Sequence, residues 1–156
     1  MVFDSGIGGT TVLEQIQALI LDADYSYFMD NALLPYGAQS QQTIIARLLA
    51  LLQFIETANL HVDILVIACN TASTSALDTI RQHTSIEVVG VVPAIKPACA
   101  ISNSKHIGLL ATPSTIKSRY TATLISNHSQ DTQVSLYDST ELEEIEKKIF
   151  QTHNNQ

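Results

Sequence analysis

Short apolar runs alternate with amphipathic segments along this chain. The clearest amphipathic segment has apolar residues at i, i+4, i+7, i+8 and i+11, which is the pattern of one buried helical face. These residues are Ile44, Leu48, Leu51, Leu52 and Ile55. The near-continuous apolar run at residues 62–68 has the length of a strand, and such runs are typical of parallel strands that are buried on both faces. Strands and helices in alternation are therefore predicted.

The same pattern extends over the whole sequence. Strands are predicted at residues 1–4, 25–29, 62–68, 86–92, 106–111 and 134–137. Helices are predicted at residues 9–21, around 44–55, at 70–82, from 97, at 115–127 and at 140–150. This order predicts an α/β fold with a mostly parallel sheet between layers of helices. A break at Pro93 and Pro97 separates a first α/β domain, residues 1–95, from part of a second, residues 96–156.

The composition is that of an ordinary folded protein. The chain has 156 residues, of which 46% are hydrophobic and 15% charged, unlike disordered, collagen-like or coiled-coil sequences. The net charge of -7 argues against a nucleic-acid partner, because phosphate contacts need clustered Lys and Arg. The apolar runs are shorter than the ~18 residues that span a membrane. Two cysteines are too few for a disulfide framework and favour a reduced, cytoplasmic compartment.

Candidate chemistry lies where predicted strands end, because ligands of parallel α/β folds bind beyond the carboxyl ends of the strands. The first such corner is the segment at residues 4–9, Asp-Ser-Gly-Ile-Gly-Gly. Its glycines allow a sharp turn or a close approach to a ligand, and it matches no nucleotide-binding motif. Asp4 is either the N-cap of the following helix or a carboxylate that orients a catalytic partner.

The strongest corner places a thiol at the end of the apolar run. Cys69 is followed directly by Asn70 and Thr71, which open a predicted helix. The positive end of a helix dipole favours the thiolate, the reactive form of cysteine. The alternative is a small buried core residue, and the polar pair after Cys69 favours a site. Cys99 has apolar neighbours and is interpreted as core packing.

Two further corners are ambiguous when each is taken alone. Pro35, Tyr36 and Gly37 have the composition of a turn. In the segment at residues 111–115, either a hydroxyl caps the next helix or the threonines bind a carboxylate. The five histidines show no metal-ligand spacing, so no metal site is predicted.

Together and in this order, these motifs resemble those of the glutamate racemases, which belong to the cofactor-independent aspartate/glutamate racemases. The matching segments are Asp4-Ser5-Gly6-x-Gly8-Gly9, Pro35-Tyr36-Gly37, Ala68-Cys69-Asn70-Thr71-Ala72, Gly90-Val91-Val92-Pro93-Ala94 and Thr112-x-x-Thr115-Ile116-Lys117-Ser118-x-Tyr120. The resemblance implies two similar α/β domains that hold the substrate between them. It implies interconversion of L- and D-glutamate by thiol acid/base chemistry without a cofactor, supplying D-glutamate for peptidoglycan.

The resemblance also implies residue roles. Cys69 matches the first of two catalytic cysteines, and Asp4 matches the carboxylate that assists it. Five residues match those that bind the polar groups of the amino acid: Ser5, Asn70, Thr71, Thr112 and Thr115. Pro35, Tyr36 and Gly37 match a loop that lines the pocket. The partner implied is a small molecule, glutamate, and the resemblance also allows a homodimer.

One family feature has no match in these 156 residues. The second catalytic cysteine of the family lies in a Gly-Cys-Thr-His segment, and Cys99 is followed by neither Thr nor His. The chain is therefore expected to be a C-terminally truncated racemase, whose first domain lacks its C-terminal return and which does not racemise glutamate efficiently alone. The alternatives are a non-catalytic ligand-binding or interaction fragment, and a racemase for aspartate.

Overall fold

The main sheet consists of parallel strands in a computed structural model that describes residues 1–142 and 145. Its strands are β1 (Val2–Asp4), β2 (Tyr27–Met29), β3 (Ile64–Ile67) and β4 (Glu87–Gly90). They lie in the order β2-β1-β3-β4, and every neighbouring pair is parallel. The predicted α/β fold with a parallel sheet is confirmed.

Helices connect these strands and continue beyond them. They are α1 (Gly9–Leu19), α2 (Gln41–Thr57), α3 (Asn70–Arg81), α4 (Ile95–Ile101), α5 (Pro113–Lys117) and α6 (Arg119–His128). A separate parallel pair contains β5 (His106–Ala111) and β6 (Gln133–Asp138). Within the described ranges, no helix combines the length and the apolar character needed to cross a membrane.

One face of the main sheet carries the hydrophobic core. The apolar stripe of α2 is buried there at Ile44, Leu48, Leu51 and Ile55, while Leu52 is half-buried. It packs in one cluster with strand residues Phe3, Leu65, Ile67 and Val88 and with α3 residues Ala72, Ala76, Leu77 and Ile80. Alternate strand residues point to opposite faces, and α1 begins on the other face, where Gly9 lies against Asp4 and Ala68. Helices therefore lie on both faces of the sheet.

Two of the predicted elements differ in the structure. Ile64 is 47% exposed, so β3 is not buried on both faces along its whole length. The helix predicted at residues 115–127 is two helices, because Ser118 has extended backbone (ψ 141°) and its hydroxyl accepts a hydrogen bond from the Thr121 amide to cap α6. The helix predicted at residues 140–150 lies largely outside the described residues.

The strand order defines a crevice. The chain runs from β1 to β2 on one side and then crosses to β3 on the other side of β1. The carboxyl ends of the two strands that flank such a switch point are the usual ligand site of open α/β sheets. Asp4 ends β1 and Cys69 follows β3, so the sheet places both candidates at this point. The domain division at residues 95 and 96 stays a prediction.

Candidate functional site

Asp4 is a buried carboxylate that anchors the glycine-rich corner. It is 8% exposed, and its Oδ1 accepts hydrogen bonds from the Gly6 amide at 3.1 Å and the Ser5 hydroxyl at 3.3 Å. Burial raises the pKa of Asp4 above its usual value, although these hydrogen bonds oppose the shift. The N-cap of α1 is Gly8 and not Asp4, so the capping interpretation of Asp4 is wrong.

Gly9 leaves no room for a side chain beside Asp4. A Cβ at this position would lie 2.8 Å from the Asp4 Cβ and 2.9 Å from the Ala68 Cβ, and neither atom can retreat without moving a strand. We expect Gly9→Ala to lower the free energy of unfolding by about 1–3 kcal/mol, the usual cost of overpacking. Urea unfolding checks this value. Gly8→Ala is the matched control, since its Cβ would meet Asp4 Oδ2 at an ordinary 3.7 Å, and equal losses in the two variants would contradict the argument.

Cys69 lies next to Asp4 across the switch point. It is the N-cap of α3, where its Sγ accepts a hydrogen bond from the Ala72 amide at 3.5 Å. The Ser5 hydroxyl lies 3.6 Å from the same sulfur. Because Ser5 also donates to Asp4, its hydroxyl bridges the thiol and the carboxylate.

The thiol is held mainly in its protonated form. Burial, and then the negative charge of Asp4, raise the pKa of Cys69 to about 11. Hydrogen bonds from Ala72 and Ser5 act in the opposite direction but do not outweigh them. The α3 N-terminus does favour the thiolate, through the Ala72 amide, but desolvation and the charge of Asp4 disfavour the charged form more strongly.

This pKa predicts how the reactivity of Cys69 depends on pH. Below its pKa of about 11, the thiolate fraction should increase about tenfold per pH unit. Alkylation of Cys69 by iodoacetamide should therefore keep accelerating up to about pH 10, well beyond the ordinary thiol value of about 8.5. The measurement uses Cys99→Ser protein, so that Cys69 is the one thiol that iodoacetamide can alkylate. A plateau near pH 9 would show that the thiol is unperturbed.

A cluster of three threonine hydroxyls adjoins the thiol corner and joins the two sheets. Thr71 Oγ1, near the start of α3, lies 3.0 Å from Thr112 Oγ1 and 3.4 Å from Thr115 Oγ1. Thr112 donates to Thr115 at 3.1 Å and caps α5 by accepting from the Thr115 amide. Asn70 is exposed as the first residue of α3. The predicted binding threonines are thus within hydrogen-bonding distance of one another.

The turn at Pro35, Tyr36 and Gly37 is packed against this corner. Tyr36 is 1% exposed and belongs to the same buried cluster as Cys69. The Ser114 hydroxyl donates to the Gly37 carbonyl at 3.0 Å, which ties the turn to α5. Ser114 therefore does not cap α5, a role that Thr112 fills.

Sequence reasoning missed the ion pair behind this turn. The Arg47 guanidinium donates to both oxygens of Asp30, at 2.7 Å each, and the Tyr36 hydroxyl donates to Asp30 Oδ2 at 2.6 Å. Burial alone would raise the pKa of Asp30, but the hydrogen bonds from Arg47 and Tyr36 and the charge of Arg47 lower it below its usual value. The available signal was the position of Asp30, directly after a predicted strand.

A separate cleft lies elsewhere. It has a volume of about 1010 Å³ between α3 and the helices α5 and α6, and its polar lining includes Thr74, Asp78, Lys117 and Arg119. None of the ten predicted catalytic and substrate-binding residues lines it. We place the candidate site at the switch point, because Asp4, Ser5 and Cys69 meet there. Over residues 1–142 and 145, no group of three or more His, Cys, Asp or Glu side chains is arranged to hold a metal ion.

Comparison with known proteins identifies the family of this chain. The sequence profile described as Asp/Glu/Hydantoin racemase matches residues 10–156. The chain belongs to this racemase family. A glutamate racemase from Shewanella sp. (strain ANA-3) is 53% identical over 143 residues, which are 91% of this chain and 52% of that protein. One from Shewanella woodyi is 51% identical over 142 residues, covering 91% of this chain and 53% of the relative.

Solved racemase structures share the fold. The glutamate racemase of Escherichia coli, solved with L-glutamate and the activator UDP-MurNAc-ala, has a TM-score of 0.83 and 40% identity over 90% of this chain and 53% of its own. The glutamate racemase of Aquifex pyrophilus has a TM-score of 0.76 and 38% identity over 86% of this chain and 52% of its own. This racemase-family chain spans about half the length of the curated relatives it matches.

Proposed function

We propose that this chain is part of a glutamate racemase, which interconverts L- and D-glutamate by proton transfer at Cα without a cofactor. The observation that carries the proposal is the meeting of Cys69, Ser5 and Asp4 at the switch point, with Sγ 3.6 Å from the Ser5 hydroxyl. The high identity to glutamate racemases supports the substrate. The E. coli structure with bound L-glutamate supports it further.

In this proposal, Cys69 is the group that exchanges a proton with Cα on one face of the amino acid. The thiolate takes the α-proton and becomes a thiol, and the electron pair stays on the substrate as a carbanion. In the reverse direction the thiol returns the proton. Because burial disfavours the thiolate, the positive ammonium group of a bound amino acid should lower the pKa of Cys69 and activate it.

Asp4 and Ser5 assist the thiol. The Ser5 hydroxyl contacts both the Cys69 sulfur and the Asp4 carboxylate, so it can relay a change of protonation between them. The raised pKa of Asp4 is closer to neutral pH than that of an ordinary carboxyl group, which suits a group that exchanges protons during the reaction.

The substrate carboxylates would be bound by the hydroxyls and amides around the crevice. A carbanion without a cofactor needs donors aimed at the adjacent carboxylate, where the negative charge develops. Thr71, Thr112 and Thr115 present hydroxyls from both sheets, and Ser5 and Asn70 lie at the two strand ends. The turn at residues 35–37 would form one wall of the pocket.

The wider assignments follow from the same proposal. Residues 1–95 form a first α/β domain and residues 96–156 belong to a second, with the amino acid bound between them. The protein acts in the cytoplasm, supplies D-glutamate for peptidoglycan and is able to assemble as a homodimer.

Glutamate binding tests the proposed substrate. We expect L- or D-glutamate to raise the melting temperature of the chain at millimolar concentration, because a ligand that binds only the folded state stabilises it. For Thr71→Val, roughly ten times more glutamate should be needed for the same rise in melting temperature, the usual result of removing one hydrogen bond to a charged group. Calorimetric titration gives the dissociation constants.

The same titration separates the alternatives. Preferential stabilisation by aspartate would favour an aspartate racemase. Stabilisation by neither amino acid would overturn the proposal and favour a non-catalytic fragment. Thr123→Val, on the exposed side of α6, is the control for loss of a threonine hydroxyl outside the crevice and should leave glutamate binding unchanged.

A further inference from the structure

The turn at residues 35–37 is held by an ion pair between the buried Asp30 and the exposed Arg47, which the racemase chemistry does not itself require. Asp30 is 5% exposed and accepts three side-chain hydrogen bonds, two from Arg47 and one from the Tyr36 hydroxyl. The Arg47 contact is bidentate, which fixes orientation as well as distance. Tyr36 therefore has its hydroxyl directed at one defined acceptor.

The ion pair also lies beside the proposed catalytic residues. The Asp30 amide donates to the Asp4 carbonyl at 3.0 Å. Asp30 directly follows Met29, the β2 residue that pairs with Asp4. The Tyr36 ring lies 6.2 Å from the Phe3 ring, centroid to centroid, in the cluster that includes Cys69. Moving Tyr36 would consequently alter the packing of the buried cluster that contains Cys69.

We propose that Arg47 and Asp30 are positioning residues, which hold Tyr36 and the turn at residues 35–37 against Cys69 and thereby set the shape of the amino-acid pocket. The proposal rests on the proposed function, because this turn is the one assigned to the glutamate pocket. Ser114 holds the other end of the turn through the Gly37 carbonyl. The turn is thus fixed both from α2 and from α5.

If Arg47 only stabilised the fold, its removal would act on Cys69 no differently from the removal of another arginine that ties two elements together. The Asp30–Arg47 ion pair is weak evidence for stability, because the desolvation of Asp30 offsets the attraction and the exposed Arg47 guanidinium is screened by water. Arg81 offers the comparison within the same chain, since it is exposed like Arg47 and donates to the Val88 carbonyl from Nε and Nη2. It ties α3 to β4 and has no contact with the turn at residues 35–37.

The test measures alkylation of Cys69 in a Cys99→Ser background. Arg47→Met should free Tyr36 and speed native-state alkylation by iodoacetamide roughly tenfold, corresponding to loss of the charge-assisted fork. Arg47→Lys keeps the charge and should recover part of the protection. Arg81→Met should leave the rate near that of the parent, and urea unfolding of each variant corrects for any shared loss of stability. Equal acceleration in Arg47→Met and Arg81→Met, after that correction, would overturn the proposal.

Glutamate titration of the same variants separates this proposal from the function it rests on. If both stand, Arg47→Met weakens glutamate binding roughly tenfold, while Arg81→Met does not. If the parent protein binds no glutamate but Arg47→Met still exposes Cys69, the positioning role stands and the substrate assignment fails. If the parent binds glutamate and Arg47→Met changes neither binding nor alkylation, the positioning role fails alone.

Discussion

Cys69→Ala is expected to abolish the exchange of the Cα proton of glutamate in D₂O. Cys69 is the only thiol at the switch point, and Asp4 and Ser5 are arranged around its sulfur. Removal of a positioned acid/base group typically slows a reaction by about 10²–10⁴-fold. The rate of exchange should therefore drop by roughly this factor and approach that of a protein-free blank. Proton NMR of the glutamate α-position measures the loss directly.

The second cysteine of the chain is the matched control for that experiment. Cys99 is buried in α4 and is 6% exposed. Cys99→Ala should keep the exchange within about twofold of the parent, apart from the modest stability cost of a small cavity. Exchange that survives in Cys69→Ala but disappears in Cys99→Ala would place the reactive thiol in α4 and contradict the site.

The fold and the position of the candidate site could be predicted wherever residues that are close in sequence determine the structure. The spacing of Ile44, Leu48, Leu51 and Ile55 predicts one buried helical face, and all four side chains are buried. Cys69 follows an apolar run of strand length, and in parallel sheets this position lies at the ligand-binding edge. The structure adds the strand order, which brings Asp4 to the same edge from a strand more than 60 residues earlier.

Long-range contacts account for what was missed. The pKa of Cys69 depends on how deeply the thiol is buried and on Asp4, and neither follows from the residues beside Cys69. Local reasoning included only the helix N-terminus, whose Ala72 amide lowers the pKa, and missed the two larger effects that raise it. The Asp30–Arg47 pair joins residues 17 positions apart in sequence across a loop, and nothing in helical periodicity links an exposed arginine to a particular carboxylate.

The 156-residue polypeptide is expected to exchange the α-proton of one glutamate enantiomer without inverting it. Inversion needs a second acid on the opposite face of Cα. The other cysteine of this sequence, Cys99, is buried in α4. L- and D-glutamate are incubated separately in D₂O, and chiral chromatography with mass spectrometry follows label and configuration. Inversion should be slower than exchange by roughly 10²-fold or more, the usual effect of a missing acid/base group. Inversion as fast as exchange would show that these residues already contain the second acid.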